Sequence, residues 1–357
     1  MAHVLLLGNA EGTGPFTVQD AAKFRARPTG IVADDTTDAS AAITDALKAL
    51  DRSLGGVVDI PPGKYYVRSP IEIPHDFADG AHVLIRGYGA HLRTDQPISI
   101  FSRRPTNQTE ALDKMVGLGV TIEGLTGRGT GHPDQRFIDL GATFGSRIVS
   151  CNAWSVGVGF NLEFCLNARL ESCRATQCVT HGFVVRTGTW TGSDGYNSQS
   201  NNAMLANCRN YAAAGSETGF YILGTHGVIL DSCIAEGGNP VRNVLFDYNG
   251  SGACRHFTVR NLHVENLPTG SHIFISAAGT VDLDGLWYQA GDVLVEWGLG
   301  TQWTVVRNVP WIASARPFKC TPSGWGSVTL ENVGMGIDCT QASRWVGDVL
   351  PDLITKR

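Results

Sequence analysis

The sequence predicts an all-β fold, a solenoid of stacked parallel strands, and three observations carry that prediction. A two-residue mark recurs along the chain as Ser150-Cys151, Ser172-Cys173, Asn207-Cys208, Ser232-Cys233, Asn261-Leu262, Asn308-Val309 and Asn332-Val333, with Gly285-Leu286 as the one variant. Its intervals are 22, 35, 25, 29, 24, 23 and 24 residues, and a period in the twenties with β-rich units is a solenoid signature. A second piece, Gly-Phe followed by apolar alternation, recurs at Gly159-Phe160, Gly182-Phe183 and Gly219-Phe220, with later variants over 243–248, 272–277 and 292–297. Each rung then supplies three short strands and three turns. Like strands stack into three parallel sheets around one core, which is a parallel β-helix.

Residues 1–27 read as a separate arm, suited to attachment. Residues 28–70 form the cap and first rung. Within them Asp38 to Arg52 is an amphipathic helix with Ile43, Leu47 and Leu50 on one face, Thr37 and Asp38 available as caps, and Gly55-Gly56 beyond its end. A solenoid end exposes core and strand edges, so a helix is expected to cover it. The β-helix proper runs over 71–336. In Val228 to Glu236, alternation points Leu230, Cys233 and Ala235 inward and Asp231, Ile234 and Glu236 outward, and Ser232 takes the bend. The same register stacks Asp231, Arg260, Asp284, Arg307 and Glu331 into an outer ladder of alternating charge. The period is lost over 99–118, which reads as a rung carrying a large polar loop around Arg103-Arg104-Pro105. Residues 337–357 break the period and are expected to cover the far end.

The chain has 357 residues and a net charge of −5, which argues against general nucleic-acid binding. Nine Cys occur without CxxC pairs or Cys/His metal spacing, so neither a metal nor another cofactor is expected. Those in the recurring mark hold the position that Leu and Val take in later rungs, as small core residues of a chain folded in a reducing cytosol. Val4 to Leu7 is too short for the apolar region of a signal peptide, and no stretch approaches a membrane span.

The cap also carries a resemblance. Gly30-Ile31-Val32-Ala33-Asp34-Asp35-Thr36-Thr37-Asp38-Ala39-Ser40-Ala41-Ala42-Ile43, followed by Gly55-Gly56-Val57-Val58-Asp59-Ile60-Pro61-Pro62-Gly63-Lys64-Tyr65, resembles the opening motif of the pectate-lyase superfamily. That motif opens single-stranded, right-handed β-helices in bacteriophage tailspikes, polygalacturonase-like enzymes and related proteins. Asp35 stands where the family usually has Gly, and Ala39-Ser40 where it has an acidic or amide residue followed by Thr. The resemblance implies the fold and cap but no particular chemistry. Thr180-His181-Gly182 and Thr225-His226-Gly227 each carry a His-Gly element, but the acidic motifs of the polygalacturonase active site do not surround them.

Candidate chemistry comes from the register. Three residues after the mark, the outward column reads Trp154, Thr176, Tyr211, Glu236, Glu265 and Gln289, with Arg174, Arg209 and His263 two positions earlier on the same face. Two carboxylates stacked about 5 Å apart suit a general acid and its carboxylate partner, at the spacing of a retaining glycosidase. Glu236 and Glu265 are therefore the candidate catalytic pair. Their bland counterpart is two solvated turn residues. The 35-residue interval holds an insertion, Thr187 to Asn197, in which Trp190, Asp194 and Tyr196 mix aromatic and polar groups as sugar recognition does. Those three, with Arg209, Tyr211 and His263, are the expected substrate-binding residues. The Gly-Phe strand between loop and Glu column presents Glu163, Arg186, Tyr221 and Asp247, of which Glu163 and Arg186 are placed to pair.

The resemblance and these features together lead to the expectation of a phage tailspike-like protein that binds a bacterial surface polysaccharide, with cleavage, by a hydrolase or a lyase route, left open. The tailspike resemblance implies a homotrimer on the virion, joined to other virion proteins through the N-terminal arm. A non-catalytic structural or adhesive virion protein is the alternative from another class, and a pectin-degrading enzyme is the third.

Overall fold

Strands pair in parallel from one end of the described chain to the other. The computed structural model describes residues 24–194, 197–247, 255–267, 269–276, 278–289, 293–298, 301, 303–310, 316–320 and 327–333, and the backbone of 345–346 and 353–356. Among these, three sheets of 13, 9 and 11 strands (here sheets A, B and C) wrap a common core. Each rung runs A to B to C, so the protein is a parallel β-helix. No helix of the described residues is long and apolar enough to cross a membrane.

The recurring mark is the corner between sheets A and B. Ser150, Ser172, Asn207, Ser232, Asn261, Asn308 and Asn332 all have φ between 51° and 56°, and Gly285 has φ 68°. A left-handed residue turns the chain sharply there, and Asn or Gly adopts that conformation at low cost. The next residue points inward, so Cys151, Cys173, Cys208 and Cys233 are buried in the same file as Leu262, Leu286, Val309 and Val333. All seven described cysteines are free and buried. Burial pushes the thiols of Cys165 and Cys178 up to about 12, which fits core packing and not thiol chemistry.

The Gly-Phe strands form sheet C. Phe160, Phe183 and Phe220 stack face to face at 5.0 and 4.9 Å, and Phe137 meets Phe160 edge-on at 5.8 Å. Asn210 enters the core from sheet B, in the file of Ala175 and Ala235. A Cβ at Gly182 would lie 2.1 Å from its side-chain oxygen, so the glycine makes room for it. Neither polar atom of the Asn210 amide has a partner among the described residues.

The cap helix, α1, spans Ser40–Lys48, shorter than the expected Asp38 to Arg52. Asp38 sits before it and accepts from the Ser40 N–H at 3.0 Å. Thr37 is taken by Asp34, which accepts from its N–H and hydroxyl at 2.7 Å each, so it does not cap. At the far end Asp51 accepts from the N–H groups of Ser53 and Leu54, which turns the chain before another helical turn can form. Ile43, Leu47 and Leu50 are buried on the core as expected. Of the N-terminal arm, residues 1–23 lie outside the described residues, and Arg25–Ala26 is the edge strand of sheet A, paired with Gly55–Asp59. Beyond 336, Trp345–Val346 and Leu353–Lys356 add strands to sheets C and A.

The register of the outer charge ladder holds: Asp231 lies beside Arg260, Arg260 beside Asp284, Asp284 beside Arg307, and Arg307 beside Glu331. The ion pair it makes at Arg307 goes instead to Asp282, at 2.9 Å, two residues along the neighbouring strand. Asp284 accepts from Asn308 at 2.8 Å.

Candidate functional site

Sheet B is built largely of three-residue strands, so two side chains per rung face outward and one inward. The last outward position runs Arg93, Arg128, Trp154, Thr176, Tyr211 and Glu236 in direct register. Beyond it Ile234 pairs with His263 and Ala235 with Val264, which brings Glu236 alongside Glu265. Glu265 in turn pairs with Gln289.

The structure joins a third group to the carboxylate pair. His263 Nε2 lies 2.6 Å from Glu265 Oε1, and the Trp287 ring stands edge-on to the imidazole at 4.0 Å. One ligand atom from each of Glu236, His263 and Glu265 lies within 4.8 Å of the others. Carboxylate oxygens no farther apart than this fall on the short side of the two glycosidase geometries, nearer the roughly 5–5.5 Å of retaining enzymes than the roughly 6.5–9.5 Å of inverting ones. The imidazole fixes Glu265, while Glu236 is half-buried and open to solvent on one side. Tyr211 and Arg209 occupy the rung before, beside Glu236 and Ile234.

A groove of about 480 Å³ runs along the same face toward the cap, from Lys64 and Arg93 past Arg128, Trp154 and Arg174 to Tyr211. Arg128 lies over the Trp154 ring at 6.0 Å, and Arg174 over the Tyr211 ring at 5.6 Å. These contacts hold the rings and the guanidinium groups on the groove wall. The groove and the Glu236–His263–Glu265 cluster therefore share one outward face, with Tyr211 at the join.

The insertion loop has a different location. Trp190 is only 8% exposed, its ring 6.2 Å from that of Phe164, and its indole N–H donates to Gln108 Oε1 at 2.8 Å. It clamps the insertion to the loop that follows Ser99–Arg103, over the outer face of sheet C. Asp194 turns the loop by accepting from the backbone and side chain of Asn197 at 2.6 and 2.9 Å. Tyr196 lies outside the described residues. Trp190 is thus packed into the sheet C side and contributes no ring to the sheet B groove.

Under that loop lies a second acidic pair that the sequence only half reveals. Glu163 and Arg186 pair as expected, at 2.5 and 3.0 Å. Asp139 joins them: Asn161 donates to both Asp139 and Glu163, at 2.7 and 2.8 Å, and Arg104 reaches both at 3.4 and 3.0 Å. Burial alone would raise the Asp139 pKa, but Arg136 and Arg104 outweigh it and hold the carboxyl below its ordinary value. Both acids are about 1% exposed, so this network seals the sheet and offers no open acid.

The cationic wall of the groove, apart from Arg174, is not among the residues that the recurring mark singles out. Its signal is nonetheless present: the mark continues backward as Gly124-Leu125, with Gly124 at φ 68°, and three residues after Leu125 stands Arg128.

No family model matches the sequence, and no curated protein matches it. Solved structures do share the fold. ORF18 of Geobacillus virus E2 aligns with TM-score 0.61 and 15% identity over 87% of this chain and 60% of that one. The A-module of mannuronan C-5 epimerase AlgE6 from Azotobacter vinelandii aligns with TM-score 0.59 and 16% identity, covering 93% and 98%. The tailspike protein of Acinetobacter baumannii phage AM24 aligns with TM-score 0.53 and 14% identity, covering 94% and 53%. The chain spans about 60% of the viral ORF18 and about half of the tailspike. At such identities the likeness is one of fold alone, the parallel β-solenoid that these structures share.

Proposed function

We propose that this chain is a tailspike-like virion protein that binds a bacterial surface polysaccharide along the outer face of sheet B and cleaves it at Glu236 and Glu265. The observation that carries the reading is the continuity of the aromatic-lined groove with that carboxylate pair. Aromatic rings cover the apolar faces of sugars, and guanidinium and amide groups bond their hydroxyls. Trp154, Tyr211 and Arg209 are the binding residues on this reading, and His263 positions Glu265.

In the cleavage step, one carboxyl group donates its proton to the glycosidic oxygen as the bond to the anomeric carbon breaks. The other carboxylate attacks that carbon, and water then releases the sugar while returning a proton to the first group. The short separation of the pair corresponds to retention of configuration. Two of the solved structures sharing the fold are phage proteins, one of them a tailspike, which supports placement on a virion. Trimer formation and attachment through residues 1–27 belong to the same reading.

The test is incubation with host surface polysaccharides, following reducing ends and unsaturated-uronate absorbance. Reducing ends alone are expected. Both signals would replace hydrolysis by a lyase reaction, with Arg209 or His263 as the base candidates. Neither signal across a credible host panel, with binding retained, would leave an adhesive protein. Full activity in both Glu236→Gln and Glu265→Gln would move the site elsewhere.

A further inference from the structure

Four cations on the sheet B face have no acid to answer them. Lys64, Arg128, Arg174 and Arg209 make no ion pair within 4 Å among the described residues. Arg93 on the same wall is the exception, paired with Asp35 at 2.9 Å. Elsewhere this chain compensates many of its cations: Arg86 pairs with Asp59, Arg147 with Glu171, Arg186 with Glu163. The whole protein carries a net charge of −5. Other cations without an ion pair among the described residues, such as Arg68, Arg169 and Arg260, lie on other parts of the coil, and what sets these four apart is that they share one face of sheet B.

The register gives the group its scale. Lys64 and Arg174 occupy the same outward position four rungs apart, through His91, Thr126 and Asn152. Arg209 follows one rung later. At about 4.8 Å per rung this file extends over roughly 24 Å along the solenoid axis. From Lys64 to Arg174 it forms one edge of the groove, and Arg209 stands one rung beyond. The other edge carries Arg128, Trp154 and Tyr211, with Arg128 directly beside Trp154. An extended chain lying along this face would meet Lys64 at one end of the file and Arg174 and Arg209 at the other, with His91, Thr126 and Asn152 between them, and Arg128 with the Trp154 and Tyr211 rings on the opposite edge. At the far end the sign reverses, where Glu236 and Glu265 succeed Tyr211.

Resting on the glycan-binding reading above, we infer that the groove selects an anionic polysaccharide, whose repeating carboxylate or phosphate groups lie along the Lys64–Arg174–Arg209 file with Arg128 opposite. Flat rings and guanidinium groups also suit a single-stranded nucleic acid. The reversal of charge at Glu236 and Glu265 disfavours it, since a continuous phosphate backbone would have to cross both carboxylates, whereas a glycan places its anions only at intervals.

The experiment measures the affinity of the full chain for a panel of acidic and neutral bacterial surface polysaccharides, with a single-stranded oligonucleotide as comparator. Binding to an acidic member is expected. It should weaken on carboxyl reduction if the acid is a sugar carboxylate, or on dephosphorylation if it is a phosphodiester, and on raising salt. The double variant Arg128→Gln/Arg174→Gln should lose about tenfold in affinity for that member, as two contacts of roughly 0.7 kcal/mol each would give, with circular dichroism and melting temperature unchanged. Trp154→Ala should weaken the native and the neutralised glycan alike. The inference is overturned if neutral members bind as tightly, if the neutralised glycan keeps its affinity, if the folded double variant is unaffected, or if the oligonucleotide binds best. Binding to no polysaccharide at all would instead sink the glycan-binding reading and this inference with it.

Discussion

His181 tests how dry the outer face of sheet C is. Its side chain is 13% exposed and Nδ1 has no partner among the described residues. The Tyr221 ring lies 4.8 Å away. Glu217, the acid that pairs with it among the described residues, stands 3.5 Å from Nε2 and is itself largely exposed. Burial first, then the nearby guanidinium groups of Arg186 and Arg136, lower the His181 pKa to about 4. In the unfolded chain the imidazole would titrate near 6.5. Between these values the unfolded chain binds the extra proton, so stability is complete above about pH 6.5 and falls as pH drops toward 4. The shift makes this loss about 2 kcal/mol between pH 7.5 and 5, and about 3 kcal/mol by pH 4. The perturbation is His181→Gln, which removes the titration and keeps a polar side chain. Urea midpoints of both proteins at pH 7.5, 6 and 5 give the difference, and hydrogen exchange at the Phe183–Val185 amides reads the same opening locally. The wild-type curve should fall more steeply than that of the variant by about the stated amount. Curves parallel to within about 0.5 kcal/mol would mean that His181 is hydrated and charged, and that the face is open.

The core gives further expectations. Phe183→Ala removes a ring stacked on both sides and should cost about 3–5 kcal/mol in chemical denaturation. Asn210→Ala replaces an unsatisfied buried amide with the residue found in the same file on neighbouring rungs. It should leave stability unchanged or raise it by about 1 kcal/mol, read as the melting temperature. Glu163→Ala leaves Arg186 without its acid and Arg104 with Asp139 alone, and should destabilise by about 3 kcal/mol, with the insertion loop becoming the first site of proteolysis. Of nine cysteines, seven are described and buried, so the native protein should expose no more than two thiols to a colorimetric reagent, against nine after unfolding.

The fold was legible because a solenoid repeats its local problem. Each sheet A to B corner needs one left-handed residue followed by one small inward residue, so Ser150-Cys151 and Asn332-Val333 show the same answer at distant points of the coil. The register followed from the same mark, and with it the adjacency of Glu236 and Glu265 and of Glu163 and Arg186. What stayed hidden depends on how turns and loops fold back, which no period records. Thr37 and Asp34 bond to each other locally instead of capping the helix. Trp190 reads as an exposed binding ring in sequence, yet Gln108, 82 residues earlier, holds it down beside Phe164. His263 was placed on the right face, but the rotation that sets it against Glu265 is a side-chain choice that strand alternation does not specify.

The two acidic pairs of this coil show why burial alone does not identify a working site. Asp139 and Glu163 are the more deeply buried, and by depth they would be the first candidates for perturbed chemistry. Yet three arginines and an asparagine occupy their oxygens, so no substrate atom can approach without displacing a charged bond. Glu236 and Glu265 lie nearer the surface with one imidazole beside them and no guanidinium paired to either among the described residues. Cations do stand on that face, but they lie along the groove, from Lys64 to Arg209, and of these only Arg93 answers an acid of the described chain, Asp35. On the proposed reading, keeping these cations apart from the carboxylate pair leaves stability to the sheet C network and leaves the charges of sheet B to the ligand. A pair whose oxygens are taken by three arginines is committed to the fold, whereas Glu236 and Glu265 share only the His263 imidazole, and on the proposed reading a glycan meets them and the cations farther along the groove.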